Sequence, residues 1–144
     1  MVHLDATTVI FGNCSLGLAP VQPSDRERVA GMLSYVEAIP MDVLQVGVPW
    51  CWTSFPEYTQ AVEQRLRVNA GMLIPHSAVR YYAMVEANQE DQRAATADQI
   101  VTMQRLIQEG LEAGALGMSI TRNRGHFDLE GRRIAGAGAR TYPS

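Results

Sequence analysis

Thiols and imidazoles are scarce in this chain: 144 residues hold two cysteines, Cys14 and Cys51, and three histidines, His3, His76 and His126. A small scaffold stapled by several disulfides is therefore excluded. No apolar run approaches the roughly 20 residues of a membrane-spanning helix, and the amino terminus lacks the basic-then-apolar order of a secretory signal. The expectation is a cytoplasmic protein with both thiols free, because structural disulfides are rare in a reducing compartment. Neither sign of charge dominates. Twelve basic against 15 acidic residues leave a net charge of −3, and the basic residues are scattered apart from the stretch Arg122 to Arg133. Neither nucleic acid nor a membrane surface is expected as a partner. Internal repeats and low-complexity tracts are missing as well. What remains is ordinary for one globular domain, with 47% hydrophobic and 19% charged residues, enough apolar material for a core.

The most informative stretch is Thr7-Thr8-Val9-Ile10-Phe11-Gly12-Asn13-Cys14-Ser15-Leu16-Gly17. A β-branched apolar run stops at a glycine and delivers a thiol at once. Strands of parallel sheets, buried on both faces, read as continuous apolar runs, and ligands gather at their carboxyl ends. Two more runs of this kind follow, Val68 to Ile74 and Leu116 to Ile120. Between them, Ser24/Glu27, Ser54/Glu57 and Thr96/Gln99 have the spacing of capping boxes and predict helix starts. The apolar stripes after them are Val29, Met32, Leu33 and Val36; Phe55, Tyr58, Val62 and Leu66; and Ile100, Met103, Ile107 and Leu111. Pro40 ends the first helix, and Gly114 is placed for a left-handed cap on the third. A short helix followed by a polar loop, Asn88 to Arg93, is expected between Tyr81 and Ala95. From Asn123 onward the Gly- and Arg-rich sequence reads as loop or tail. Strands alternating with helices predict an α/β fold with a parallel sheet.

Chemistry concentrates after the strands. Cys14 follows the first, His76 follows the second through Ile74-Pro75, and His126 lies six residues past the third. One thiol and two imidazoles are chemically adequate for a catalytic zinc, provided the loops converge. The competing reading is that Cys14 packs as a small hydrophobe and each histidine satisfies a loop. Gly12 and Gly17 have the outer spacing of a phosphate-binding loop, but Leu18-Ala19 stand where lysine and a hydroxyl are required, which rejects that site. A cysteine nucleophile remains open, although no base lies near Cys14 in sequence. The aromatic cluster Trp50, Trp52, Phe55 and Tyr58 is read as a staple at a helix start rather than as an acyl pocket. Arg122, nearest the third strand's end, is the candidate for holding a substrate carboxylate.

The stretch from Thr7 to Val21 closely resembles a hallmark of the N-acyl-D-amino-acid deacylases, or D-aminoacylases, within the metal-dependent amidohydrolases. The similarity continues through Pro49-Trp50, Ser54-Phe55-Pro56-Glu57-Tyr58, Pro75-His76-Ser77-Ala78-Val79-Arg80 and Gly114-Ala115-Leu116-Gly117-Met118-Ser119, with Arg122 and His126 beyond. It covers residues 6 to about 134. The resemblance implies a (β/α)8 barrel of the amidohydrolase type, with Cys14 as a zinc ligand and Asn13, His76, Arg122 and His126 lining the site. It implies hydrolysis of N-acyl-D-amino acids by metal-activated water. Ser15 and Pro75 depart from it, standing where the family usually has glycine. The family's His-x-His or His-x-Asp pair, its two later metal-binding histidines and its catalytic aspartate have no counterparts here; His3-Leu4-Asp5 lies too close to the first strand to be assigned. A complete barrel takes about 250 residues, so the expectation is an arc of about three parallel strands with covering helices over residues 1–134, and a disordered tail over 135–144. Alone, such an arc is expected to be inactive. The alternative is an assembly module that completes a split barrel or self-associates.

Overall fold

The computed structural model describes residues 7–84, 94–121, 123, 125–129, 131 and 133–134. Three parallel strands form its sheet in the order β1 (Thr8–Phe11), β2 (Asn69–Pro75), β3 (Gly117–Ser119). The register sets Thr8 opposite Asn69 and Phe11 opposite Met72, then Leu73 opposite Gly117 and Pro75 opposite Ser119. The connections carry helices α1 (Arg26–Glu37), α2 (Met41–Gly47) and α3 (Phe55–Glu63) between β1 and β2, then α4 (His76–Ala83) and α5 (Ala97–Glu112) before β3. This is the expected α/β order of a parallel sheet with helical crossovers.

Two of the three expected caps are in place. Ser54 accepts from the Glu57 amide while the Glu57 carboxylate accepts from the Ser54 amide, and Thr96 and Gln99 repeat the exchange at α5. Each box satisfies two amides that the helix geometry leaves unpaired. At the far end of α5, Gly114 adopts φ 93, with its amide on Leu111 and the Ala115 amide on Gly110. That is the paired bonding of a Schellman cap, which the glycine makes accessible.

The Ser24 cap is a correction. Pro23, Ser24 and Asp25 form a 3₁₀ turn, and α1 starts at Arg26 with no side-chain cap. With Ser24 drawn into that turn, its hydroxyl is not at an N-cap. A second correction concerns β1, which was expected to be buried on both faces. Val9 is 39% and Ile10 55% exposed; successive side chains point to opposite faces, so the described residues close neither face over this outer strand. One helix was not foreseen, and another lies earlier than expected. α2 is a short helix opening after Pro40. α4 begins directly at His76, so the expected helix lies earlier than Tyr81, while the loop Asn88 to Arg93 falls outside the described residues.

The core lies between the sheet and its helices, built from Ile74, Val29, Met32, Trp52, Phe55, Val79, Met103 and Leu106. The aromatic cluster acts as the expected staple. Trp52 is buried, donates its indole N–H to the Leu18 carbonyl at 2.8 Å, and meets Tyr58 edge-on with ring centroids 4.9 Å apart. Burial raises the Tyr58 phenol above its ordinary pKa. Past β3, residues 126–129, 131 and 133–134 do not simply trail away. Phe127 bridges Arg133, the Ile134 amide reaches the His126 carbonyl at 3.1 Å, and Ile134 is wholly buried. The anticipated tail, residues 135–144, lies outside the described residues.

Candidate functional site

At the carboxyl end of β1 the chain turns sharply through Gly12. Its φ is 91, and a Cβ there would lie 2.4 Å from the Leu73 carbonyl oxygen of β2. Only glycine permits that close approach. A single 3₁₀ turn, Asn13–Ser15, follows and packs against β2, β3 and the start of α4. Within it Cys14 (φ 58) and Ser15 (φ 66) both occupy left-handed backbone that side-chain-bearing residues seldom adopt. Asn13 and Cys14 are exposed, whereas Ser15 is fully buried. The thiol is therefore presented at the rim, and the reading of Cys14 as a packed small hydrophobe is not supported. Cys51, on the loop ahead of α3, is also exposed and free.

The turn is tied to both neighbouring strand ends by serines. The Ser15 hydroxyl accepts from the Ser77 amide at 3.0 Å and shares a hydrogen bond with the Ser77 hydroxyl at 2.9 Å. From β3, the Ser119 hydroxyl accepts from the Ser15 amide at 3.1 Å and donates to the Gly12 carbonyl. Sequence reasoning found none of these bonds, because the partners lie 62 to 107 positions apart. The usable signal was Ser15 itself, a β-carbon-bearing residue at a position where the resembled family has glycine.

His76 is the first residue of α4, immediately behind this rim. The Ser15–Ser77 pair places the backbone of Cys14 and that of His76 each one residue from a shared hydrogen bond. Its side chain is 2% exposed and its Nδ1 has no hydrogen-bond partner among the described residues. Burial lowers its pKa, and the nearby Arg80 guanidinium lowers it further. The ring is therefore held neutral. His126 is buried too, its Nδ1 without a hydrogen-bond partner among the described residues, in the segment whose Asp128 approaches Arg28 at 4.0 Å. Arg28 also stacks over the Tyr81 ring at 4.7 Å. Arg122 lies outside the described residues.

Among the described residues no three His, Cys, Asp or Glu side chains come together as a metal-binding group. The convergence of Cys14, His76 and His126 into one ligand set does not occur in them. One exposed thiol suits a soft-metal donor, but it is a single donor. Beneath the rim lies an apolar cavity of about 250 Å³, bounded by Phe11, Leu16, Leu33, Tyr58, Leu73 and Pro75. Gly17 leaves room for the Pro75 ring, since a Cβ on it would sit 2.6 Å from Pro75 Cγ.

No family model matches the chain. It is 32% identical over 114 residues to a D-aminoacylase of Alcaligenes xylosoxydans xylosoxydans, covering 78% of this chain and 20% of that protein. A solved D-aminoacylase structure superposes with a TM-score of 0.54 at 32% identity, over 78% of this chain and 21% of its own. The N-acyl-D-glutamate deacylase of Bordetella bronchiseptica, solved with zinc and a phosphonate mimic of the tetrahedral intermediate, superposes at 0.53 with 30% identity, over 78% and 20%. The chain thus spans about a fifth of the length of the relatives it matches.

Proposed function

From its kinship with the N-acyl-D-amino-acid deacylases, we propose that this chain is one arc of a (β/α)8 amidohydrolase barrel, contributing a single zinc ligand, Cys14, to a site that hydrolyses the amide bond of N-acyl-D-amino acids. The observation that carries this reading is the exposed thiol at the carboxyl end of a parallel strand, the end at which barrel enzymes assemble their chemistry. Metal bound there would polarise an amide carbonyl and acidify water. Asn13 stands exposed beside the thiol on the rim, and His76, Arg122 and His126 belong to the same reading as residues lining the site. The neutral His76 ring is buried at the start of α4, next to Ser77, which bonds the thiol-bearing turn.

On this reading, in which the chain contributes one ligand to a larger site, the 144-residue polypeptide is inactive by itself. Incubated with zinc and N-acetyl-D-amino acids, it should release no free amino acid. Robust turnover abolished by Cys14→Ala would overturn that expectation.

A second reading is that the chain is a non-catalytic assembly module. Its support is the exposure of Val9 and Ile10 on an outer strand with an unpaired side among the described residues, the kind of edge that pairs with further strands. Sedimentation of a well-folded, strictly monomeric chain across a wide concentration range would remove self-association.

A further inference from the structure

The apolar cavity of about 250 Å³ lies between the sheet and helices α1 to α3. Phe11 of β1 and Met72 of β2 bound it from the sheet, and Leu33 of α1, Leu44 of α2 and Tyr58 of α3 bound it from the helices. Its remaining wall is the stretch that leaves β1, with Gly12 and Leu16 to Ala19. Packed interiors leave few voids larger than a water molecule, so a space of this size needs a reason to stay open. Two glycines supply it. The backbone at Gly12 runs so close to β2 that a Cβ would fall 2.4 Å from the Leu73 carbonyl oxygen, and one at Gly17 would fall 2.6 Å from Pro75 Cγ. This wall already rests on β2 and cannot move further in. Leu18 is held as well, its carbonyl accepting the Trp52 indole N–H at 2.8 Å. Collapse from the loop side is blocked, and the cavity is present ready-made in the folded chain.

Tyr58 has the only polar side chain among the described residues that line the cavity, and none of them carries a charge. Such a lining favours hydrocarbon over water and excludes an ion, which would lose its hydration without gaining a partner. Size narrows the ligand further. An apolar cavity of about 150 Å³ is enough for benzene, whereas pockets for drug-sized molecules start at about 300 Å³. We propose that this cavity is a binding site for a small uncharged hydrocarbon group, a single aromatic ring or a branched chain of similar bulk. The site requires no metal on Cys14.

The test titrates benzene into the 144-residue chain, with benzoate as its charged counterpart, and reads thermal melting together with nuclear Overhauser contacts from the ligand to leucine methyl groups. Benzene should bind saturably, raise the melting temperature by about 5 °C at ten times its Kd, and contact the methyls of Leu16, Leu33 and Leu44. Benzoate should bind roughly a hundredfold more weakly, because its carboxylate has no partner in the cavity. Leu33→Trp, which adds bulk at the α1 wall, should weaken benzene binding about tenfold or more. The proposal is overturned by the absence of saturable benzene binding, by benzoate binding as tightly, by unchanged affinity in a folded Leu33→Trp variant, or by contacts to the exposed Val9, Ile10 and Leu116 in place of the cavity methyls. Should Leu33→Trp fail to fold, the contacts in the native chain decide.

Discussion

Replacing Ser15 by alanine and by glycine separates two opposing effects that the native residue combines. Ser15 is fully buried at φ 66, and its hydroxyl is the acceptor for the buried Ser77 amide. Alanine keeps the strained backbone and leaves that amide without its acceptor, a loss of about 2 kcal/mol when a buried donor goes unsatisfied. Glycine incurs the same loss but recovers about 1 kcal/mol, because a residue without Cβ has no penalty in left-handed backbone. The expected stability order is therefore native, then Ser15→Gly, then Ser15→Ala, with about 1 kcal/mol between successive members. Urea unfolding followed by circular dichroism resolves such steps if the denaturant slope stays constant. The alanine variant matching or exceeding the glycine variant would refute the strain argument. Two native-like variants would show that the Ser77 bond contributes nothing.

Gly110 lies on the buried face of α5, and a Cβ there would meet Ile74 Cδ1 at 2.6 Å; Gly110→Ala should cost about 1–3 kcal/mol through overpacking despite its better helix propensity, measured by thermal melting. His76 has a folded pKa below its ordinary 6.5, so the unfolded chain takes up its proton first as pH falls. His76 therefore leaves stability unchanged well above 6.5 and erodes it between 6.5 and the lower folded value, and a His76→Gln variant should show a shallower loss over that window in unfolding titrations.

Local signals in this sequence were legible where a rule joins residues three or four apart. The Ser54/Glu57 and Thr96/Gln99 boxes and the Gly114 cap formed as read, because each is satisfied within one helical turn. α4 begins earlier than its expected place because its polar residues His76, Ser77 and Arg80 are buried together with Ala78, Val79 and Tyr81, so residue polarity there does not report which side faces the core. Ser24 failed for a subtler reason, since Pro23 is at home in a tight 3₁₀ turn and carries the serine into it. At the site, the place of Cys14 on the rim could be read from the strand that precedes it. The serines that hold it could not, because contacts between distant loops leave no trace in local spacing.

The indole of Trp52 carries a consequence of its own. It is bonded to the Leu18 carbonyl, four residues past the thiol, and is wedged against Tyr58 in a dry environment. Any lifting of that stretch would break the bond and let solvent reach the ring, moving its fluorescence to longer wavelength. The indole is thus an optical gauge beside the thiol-bearing turn.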